Sequence, residues 1–62
     1  MNIPKIQRFL KIYNSGKFLE YKATENGLTR DDIEYMLSER YIVHIKDDEY
    51  IVTEKGRKFA FG

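Results

Sequence analysis

The 62 residues predict an α+β domain in which helices are followed by a two-stranded β hairpin. Three observations predict it: an apolar stripe at helical spacing near the start, a capped amphipathic stretch after Thr29, and two β-rich runs separated by an acidic turn. The length fits one domain over residues 1–62, and a chain this short removes only about 60% of its unfolded surface from water on folding.

The first helix is predicted over residues 3–13. Ile3, Ile6, Leu10 and Tyr13 recur on one face, Phe9 widens the stripe, and Pro4 suits a first helical turn. Asn14-Ser15-Gly16 is expected to end it. Residues 18–25 are ambiguous from local pattern, because Leu19, Tyr21 and Ala23 alternate as in a strand while Phe18, Leu19 and Ala23 share one helical face. The next element opens with Thr29 as N-cap. Asp31 and Asp32 place negative charge in its first turn, and Thr29-Arg30-Asp31-Asp32 fits a capping box with Asp in place of Glu. Ile33, Met36, Leu37 and the stem of Arg40 form its inner face. Residues 41–45 and 50–53 are the hairpin strands, joined by a four-residue tip, Lys46-Asp47-Asp48-Glu49. A final turn over residues 54–60 is capped by Thr53 and folds Phe59 back onto the core.

Composition narrows the function classes. There is no cysteine and no cluster of histidine with cysteine, so no disulfide or structural zinc is expected to reinforce the fold, and no metal or other cofactor is expected. The core must rest on the 42% of residues that are hydrophobic, among them nine Phe and Tyr. No apolar run approaches the roughly 18 residues of a membrane span, and charges interrupt the first residues too often for a signal peptide. A cytoplasmic protein without a membrane partner is therefore expected.

Net charge is +1, yet the charges are segregated along the chain. Residues 1–24 carry five cations, Lys5, Arg8, Lys11, Lys17 and Lys22, against Glu20 alone. Residues 25–50 carry Arg30, Arg40 and Lys46 against eight carboxylates, including Asp31, Asp32, Glu34, Glu39 and the Asp47-Asp48-Glu49 run. The last segment is basic again, with Lys55, Arg57 and Lys58 against Glu54.

Ala23 is followed four positions later by Gly27, then by Leu28 and by the β-branched Ile33. This pattern resembles the helix-turn-helix signature, in which a small residue lets two helices approach, a glycine takes the left-handed turn conformation, and an apolar residue locks the second helix in place. Downstream, residues 50–59, with Tyr50, Thr53 and the Lys55-Gly56 pair, look like the end of the wing in small microbial winged-helix proteins. The resemblance to the winged helix-turn-helix family covers nearly the whole chain. It implies that residues 18–25 are helix 2, that residues 29–39 are the recognition-type helix, and that the architecture is three helices plus a two-stranded wing.

The resemblance further implies DNA binding. Outward residues of the recognition-type helix, Thr29, Arg30, Asp31, Glu34, Tyr35 and Ser38, would face base edges, with Lys46 beside the wing tip on phosphate. Asp31, Asp32, Glu34, Glu39 and the acidic wing tip depart from that pattern, because phosphate affinity depends on cations. Two readings follow. In one, nucleic acid, duplex or single-stranded, is bound through cations outside the acidic strip: Lys5, Arg8, Lys11 and Lys17, with Lys55, Arg57 and Lys58 after the wing. Tyr21, Tyr35, Tyr41 or Phe61 would then serve as base-stacking platforms. In the other, the chain is a protein-interaction module that docks on a larger protein through helix 1 or through Phe59 and Phe61. No extra helix of the kind with which many winged-helix repressors dimerise is expected. Family habit therefore implies a regulator or a DNA-binding accessory subunit, for example of a replication or primase-type complex of a phage or mobile element.

Catalysis is not expected. His44 is the one histidine and lies on a predicted strand, and Asp31-Asp32 and Asp47-Asp48 are sequence neighbours whose side chains diverge. The four glycines are isolated, so there is no phosphate-cradling loop, and no small-molecule substrate is implied.

Overall fold

The computed structural model of the chain describes residues 2–14 and 16–62. The described residues form, in order, helix α1 (Ile3–Ile12), strand β1 (Lys17–Leu19), helices α2 (Glu20–Glu25) and α3 (Arg30–Ser38), strands β2 (Ile42–Lys46) and β3 (Glu49–Val52), and helix α4 (Glu54–Phe61). They are thus four helices and a three-stranded antiparallel sheet in the order β1-β3-β2, where three helices and two strands were expected.

Local chemistry explains most helix boundaries. The Asn2 side chain accepts from the Lys5 N–H at 3.1 Å, and Pro4 occupies the first turn of α1, where its missing N–H costs nothing. Of the expected stop at Asn14-Ser15-Gly16, Ser15 lies outside the described residues; the helix itself closes at Tyr13. Thr29 and Asp32 cap α3 reciprocally: Thr29 Oγ1 accepts from the Asp32 N–H at 3.2 Å, and Asp32 Oδ2 accepts from the Thr29 N–H at 2.9 Å. Thr53 caps α4 by accepting from the Gly56 N–H, and it also lies within hydrogen-bonding distance of the Arg40 and Tyr41 carbonyls. That second role ties α4 to the entry of the hairpin. The expected final turn is therefore a full helix running to Phe61.

The turn between α2 and α3 is a Schellman motif. Gly27 has φ +85°, its N–H donates to the Thr24 carbonyl at 2.9 Å, and the Leu28 N–H reaches back to the Ala23 carbonyl at 3.0 Å. Ala23 and Leu28 are both buried beneath this turn. The same pair of bonds ends α3, with Arg40 N–H on Leu37 and Tyr41 N–H on Met36, but there the left-handed residue is Arg40, at φ +63°.

Residues 18–25 do not form one helix. Phe18 and Leu19 belong to β1, which pairs with β3 in the register Lys17 to Ile51, Phe18 to Tyr50 and Leu19 to Glu49, and α2 starts only at Glu20. The reason is tertiary. β3 offers a free edge to residues 17–19, Phe18 then packs on Tyr50 with ring centroids 5.6 Å apart, and the Asp48 carbonyl accepts from the Glu20 N–H at 2.8 Å. The hairpin tip is also shorter than expected. Lys46 and Glu49 pair, so only Asp47 and Asp48 turn the chain, and a bulge between His44 and Lys46 absorbs the shift in register.

The core comprises Ile6, Phe9 and Leu10 of α1, Phe18, Ala23, Leu28, Ile33 and Met36, Tyr41 and Ile42, Tyr50 and Val52, and Ala60 of α4. Complete burial of Ile6, Phe9, Leu10, Met36 and Ile42 contributes on the order of 1.5–3 kcal/mol each. Seven of the nine aromatic residues fall into two clusters. Phe9, Tyr13, Phe18 and Tyr50 join α1 to the sheet, and Tyr35, Tyr41 and Phe59 join α3, the hairpin entry and α4. No described helix is long and apolar enough to cross a membrane.

Candidate nucleic-acid interface

α3 has a surface of mixed but mainly negative charge. Thr29 is exposed, with its hydroxyl oxygen engaged in the cap, and Arg30, Asp31 and Glu34 are exposed along the helix. Ser38 donates to the Tyr35 carbonyl at 3.1 Å, so its hydroxyl is used within the last turn. Tyr35 is half-buried, edge-on to Tyr41 with centroids 6.0 Å apart, and Tyr41 is 8% exposed. Neither is the open base-stacking platform that the nucleic-acid reading expected of it. Asp32 is buried, and hydrogen bonds from backbone N–H groups, chiefly that of Thr29, hold its carboxyl below the usual carboxylate range despite the burial. It is a cap that stays charged at neutral pH.

Lys46 sits on the exposed end of β2 opposite Glu49, next to Asp47 and Asp48. Its charge is therefore outnumbered locally, and α3 with the hairpin tip forms an acidic region.

The basic residues gather elsewhere. α1 carries Lys5, Arg8 and Lys11 with no carboxylate, and α4, which packs against α1, carries Lys55, Arg57 and Lys58 against Glu54. Gln7 Nε2 donates to the Phe59 carbonyl at 3.1 Å across this junction. Beside it lies an open groove of about 540 Å³, lined by Gln7, Tyr41, Lys55, Lys58, Phe59 and Gly62. No Asp or Glu side chain lines it.

Its floor is the stacked pair Tyr41 and Phe59, with centroids 4.2 Å apart and planes 11° from parallel. Lys55 Nζ lies 5.5 Å from the Tyr41 centroid, which holds one ammonium over the floor. Burial pushes the Tyr41 phenol above its ordinary pKa, so the ring stays neutral beneath that cation. Gly56 allows the arrangement, since a Cβ there would overlap the Tyr41 carbonyl and push α4 away from the hairpin entry.

Of the residues expected to bind, Lys55, Lys58 and Phe59 thus come together, with Tyr41 and Gln7 beside them. Arg57 instead faces Glu54 at 3.8 Å, an exposed pair. Phe61 is 60% exposed and has Lys11 Nζ 5.8 Å from its centroid. Gln7 was missed by sequence reasoning, and its polar position on the otherwise apolar side of α1 was the available signal.

Among the described residues, no group of three or more His, Cys, Asp or Glu is placed to hold a metal ion. His44 is exposed, with Nε2 against the Asp47 carbonyl and its ring 5.2 Å from that of Tyr50. No protein-family model, curated protein or solved structure matches the chain.

Proposed function

We propose that the chain is a winged helix-turn-helix protein that binds nucleic acid through its α1 and α4 face and not through α3, acting as a regulator or as the DNA-binding accessory subunit of a larger complex. The order of helices, the left-handed Gly27 between α2 and α3, and the hairpin after α3 support the winged-helix reading. One observation carries the choice of face: Lys55 and Lys58 flank a groove without a carboxylate side chain, whereas α3 and the hairpin tip put Asp31, Glu34, Asp47 and Asp48 into solvent. A polyanion is attracted to the first surface and repelled by the second.

The test is fluorescence anisotropy of labelled oligonucleotides at several salt concentrations. Each phosphate contact contributes about 0.7–0.9 to the slope of log affinity against log salt. Removing both cations with Lys55→Ala and Lys58→Ala is expected to lower the slope by roughly 1.4–1.8, while Arg30→Ala leaves it unchanged. A slope that falls only with Arg30→Ala refutes the assignment of the face.

A protein-docking role is the second reading, favoured by the outer face of the sheet, where Leu19, Val43 and Ile45 are 37–43% exposed. Absence of any salt-dependent oligonucleotide binding, together with concentration-dependent sedimentation, would favour it.

A further inference from the structure

We infer that the nucleic acid bound by this face is single-stranded, with one base stacked on Phe61 and the adjoining phosphates on Lys55 and Lys58; this rests on the nucleic-acid reading above. Phe61 stands outside both aromatic clusters. Its ring is 60% exposed near the end of α4, three residues after Lys58 and therefore on the same side of the helix.

An exposed ring serves a polyanion only where cations surround it, and Lys11 of α1 lies 5.8 Å from its centroid. Tyr21 is the useful contrast. It is 51% exposed and also has a lysine over its ring, but that residue, Lys22, faces Glu25 at 3.5 Å, and Glu20 adjoins it. Phe61 is thus the exposed aromatic surface in a basic setting.

Strandedness follows from what a flat ring can reach. In a duplex the base faces are already stacked on one another, so Phe61 would meet only sugar and phosphate. In a single strand a base turns out freely and covers the ring while its backbone continues along the lysines. The groove suits that path. It is an open trough of about 540 Å³ with an aromatic floor, whereas major-groove reading calls for a convex helix entering a groove about 12 Å wide, and here the helix available for that is acidic. Lys55 and Lys58 stand one turn apart on α4 and both line this trough, so a strand laid along it passes both.

The experiment compares labelled oligo(dT) with a duplex of the same length against the 62-residue chain and its Phe61→Ala, Phe61→Leu and Tyr21→Ala variants, with thermal melts to verify folding. Expected are tighter binding of oligo(dT) than of duplex, a loss of about 5- to 150-fold in oligo(dT) affinity with Phe61→Ala at an unchanged salt slope, partial recovery with Phe61→Leu, and no loss with Tyr21→Ala. Equal or tighter binding of duplex, or an unchanged oligo(dT) affinity in folded Phe61→Ala, overturns the single-strand inference and leaves the nucleic-acid reading standing. Failure of both oligonucleotides to bind at low salt overturns that reading as well.

Discussion

Arg40→Gly is expected to stabilise the protein. Arg40 is held at φ +63° in the turn that ends α3, a conformation that costs a residue with a Cβ about 1–2 kcal/mol relative to glycine. Its main chain is committed there, since its N–H donates to Leu37 and its carbonyl accepts from Thr53 Oγ1 at 2.6 Å. Its side chain is exposed and belongs to neither ion pair found among the described residues, so its removal forfeits little. Glycine gives back about 0.4–1 kcal/mol through the greater entropy of the unfolded chain. The balance is a gain of about 0.5–1 kcal/mol, or a rise of about 2–8 °C in the melting temperature of a domain this small. Gly27→Ala is the mirror experiment at φ +85°. The new Cβ would stand 3.0 Å from Lys5 Nζ, the far end of a flexible side chain that swings away, so the cost is mainly backbone and amounts to about 0.5–1 kcal/mol of lost stability. Thermal and urea unfolding followed by far-ultraviolet circular dichroism reads both. A neutral or destabilising Arg40→Gly, or a Gly27→Ala as stable as the parent, would refute the assignment of the two turns, and with it the geometry between α2 and α3.

Other consequences follow from the same structure. Asp32→Asn exchanges a charge-assisted cap for a neutral one and is expected to cost about 1 kcal/mol at pH 7, measured by urea unfolding. Because the folded carboxyl lies below its unfolded pKa, the stability it adds is present above about pH 4 and is lost as pH falls through the lower folded value, so parent and variant should converge in acid. The phenols of Tyr41 and Tyr50 are raised, each mainly by burial, and Tyr50 also donates to Glu20 Oε1 at 3.1 Å. Their contribution is complete below about pH 10 and disappears as pH rises through the raised folded values; Tyr50→Phe should lessen this alkaline loss and cost about 0.5–1.5 kcal/mol at neutral pH. Gly56→Ala should destabilise by about 1–2 kcal/mol, since overpacking against the Tyr41 carbonyl outweighs the helix propensity gained, and thermal melts would check it.

The candidate site was only partly legible in advance. Lys55 and Lys58 stood out as cations after the acidic stretch, and Phe61 as one of several aromatic residues. Nothing local distinguished Phe61 from Tyr35 and Tyr41, because exposure is a property of what packs against a ring. Tyr41 is covered by Phe59 from eighteen positions later and flanked by Tyr35 from the preceding helix. Gln7 joins the groove across 52 positions of sequence.

The sequence by itself determined the features that act over three or four residues: the Thr29 and Thr53 caps, the apolar face of α1, and the glycine turn after α2. These depend on hydrogen bonds and dihedral preferences between near neighbours, so the local residues suffice. Tertiary structure alone decided the fate of residues 17–19, the short hairpin tip, and the joining of α1, α4 and the Tyr41 segment around one groove. A strand has no hydrogen-bonding partner of its own, and a groove has no single owner. Both exist only once distant segments have met, which is why Phe18 pairs with Tyr50 in a sheet although its neighbours permit a helix.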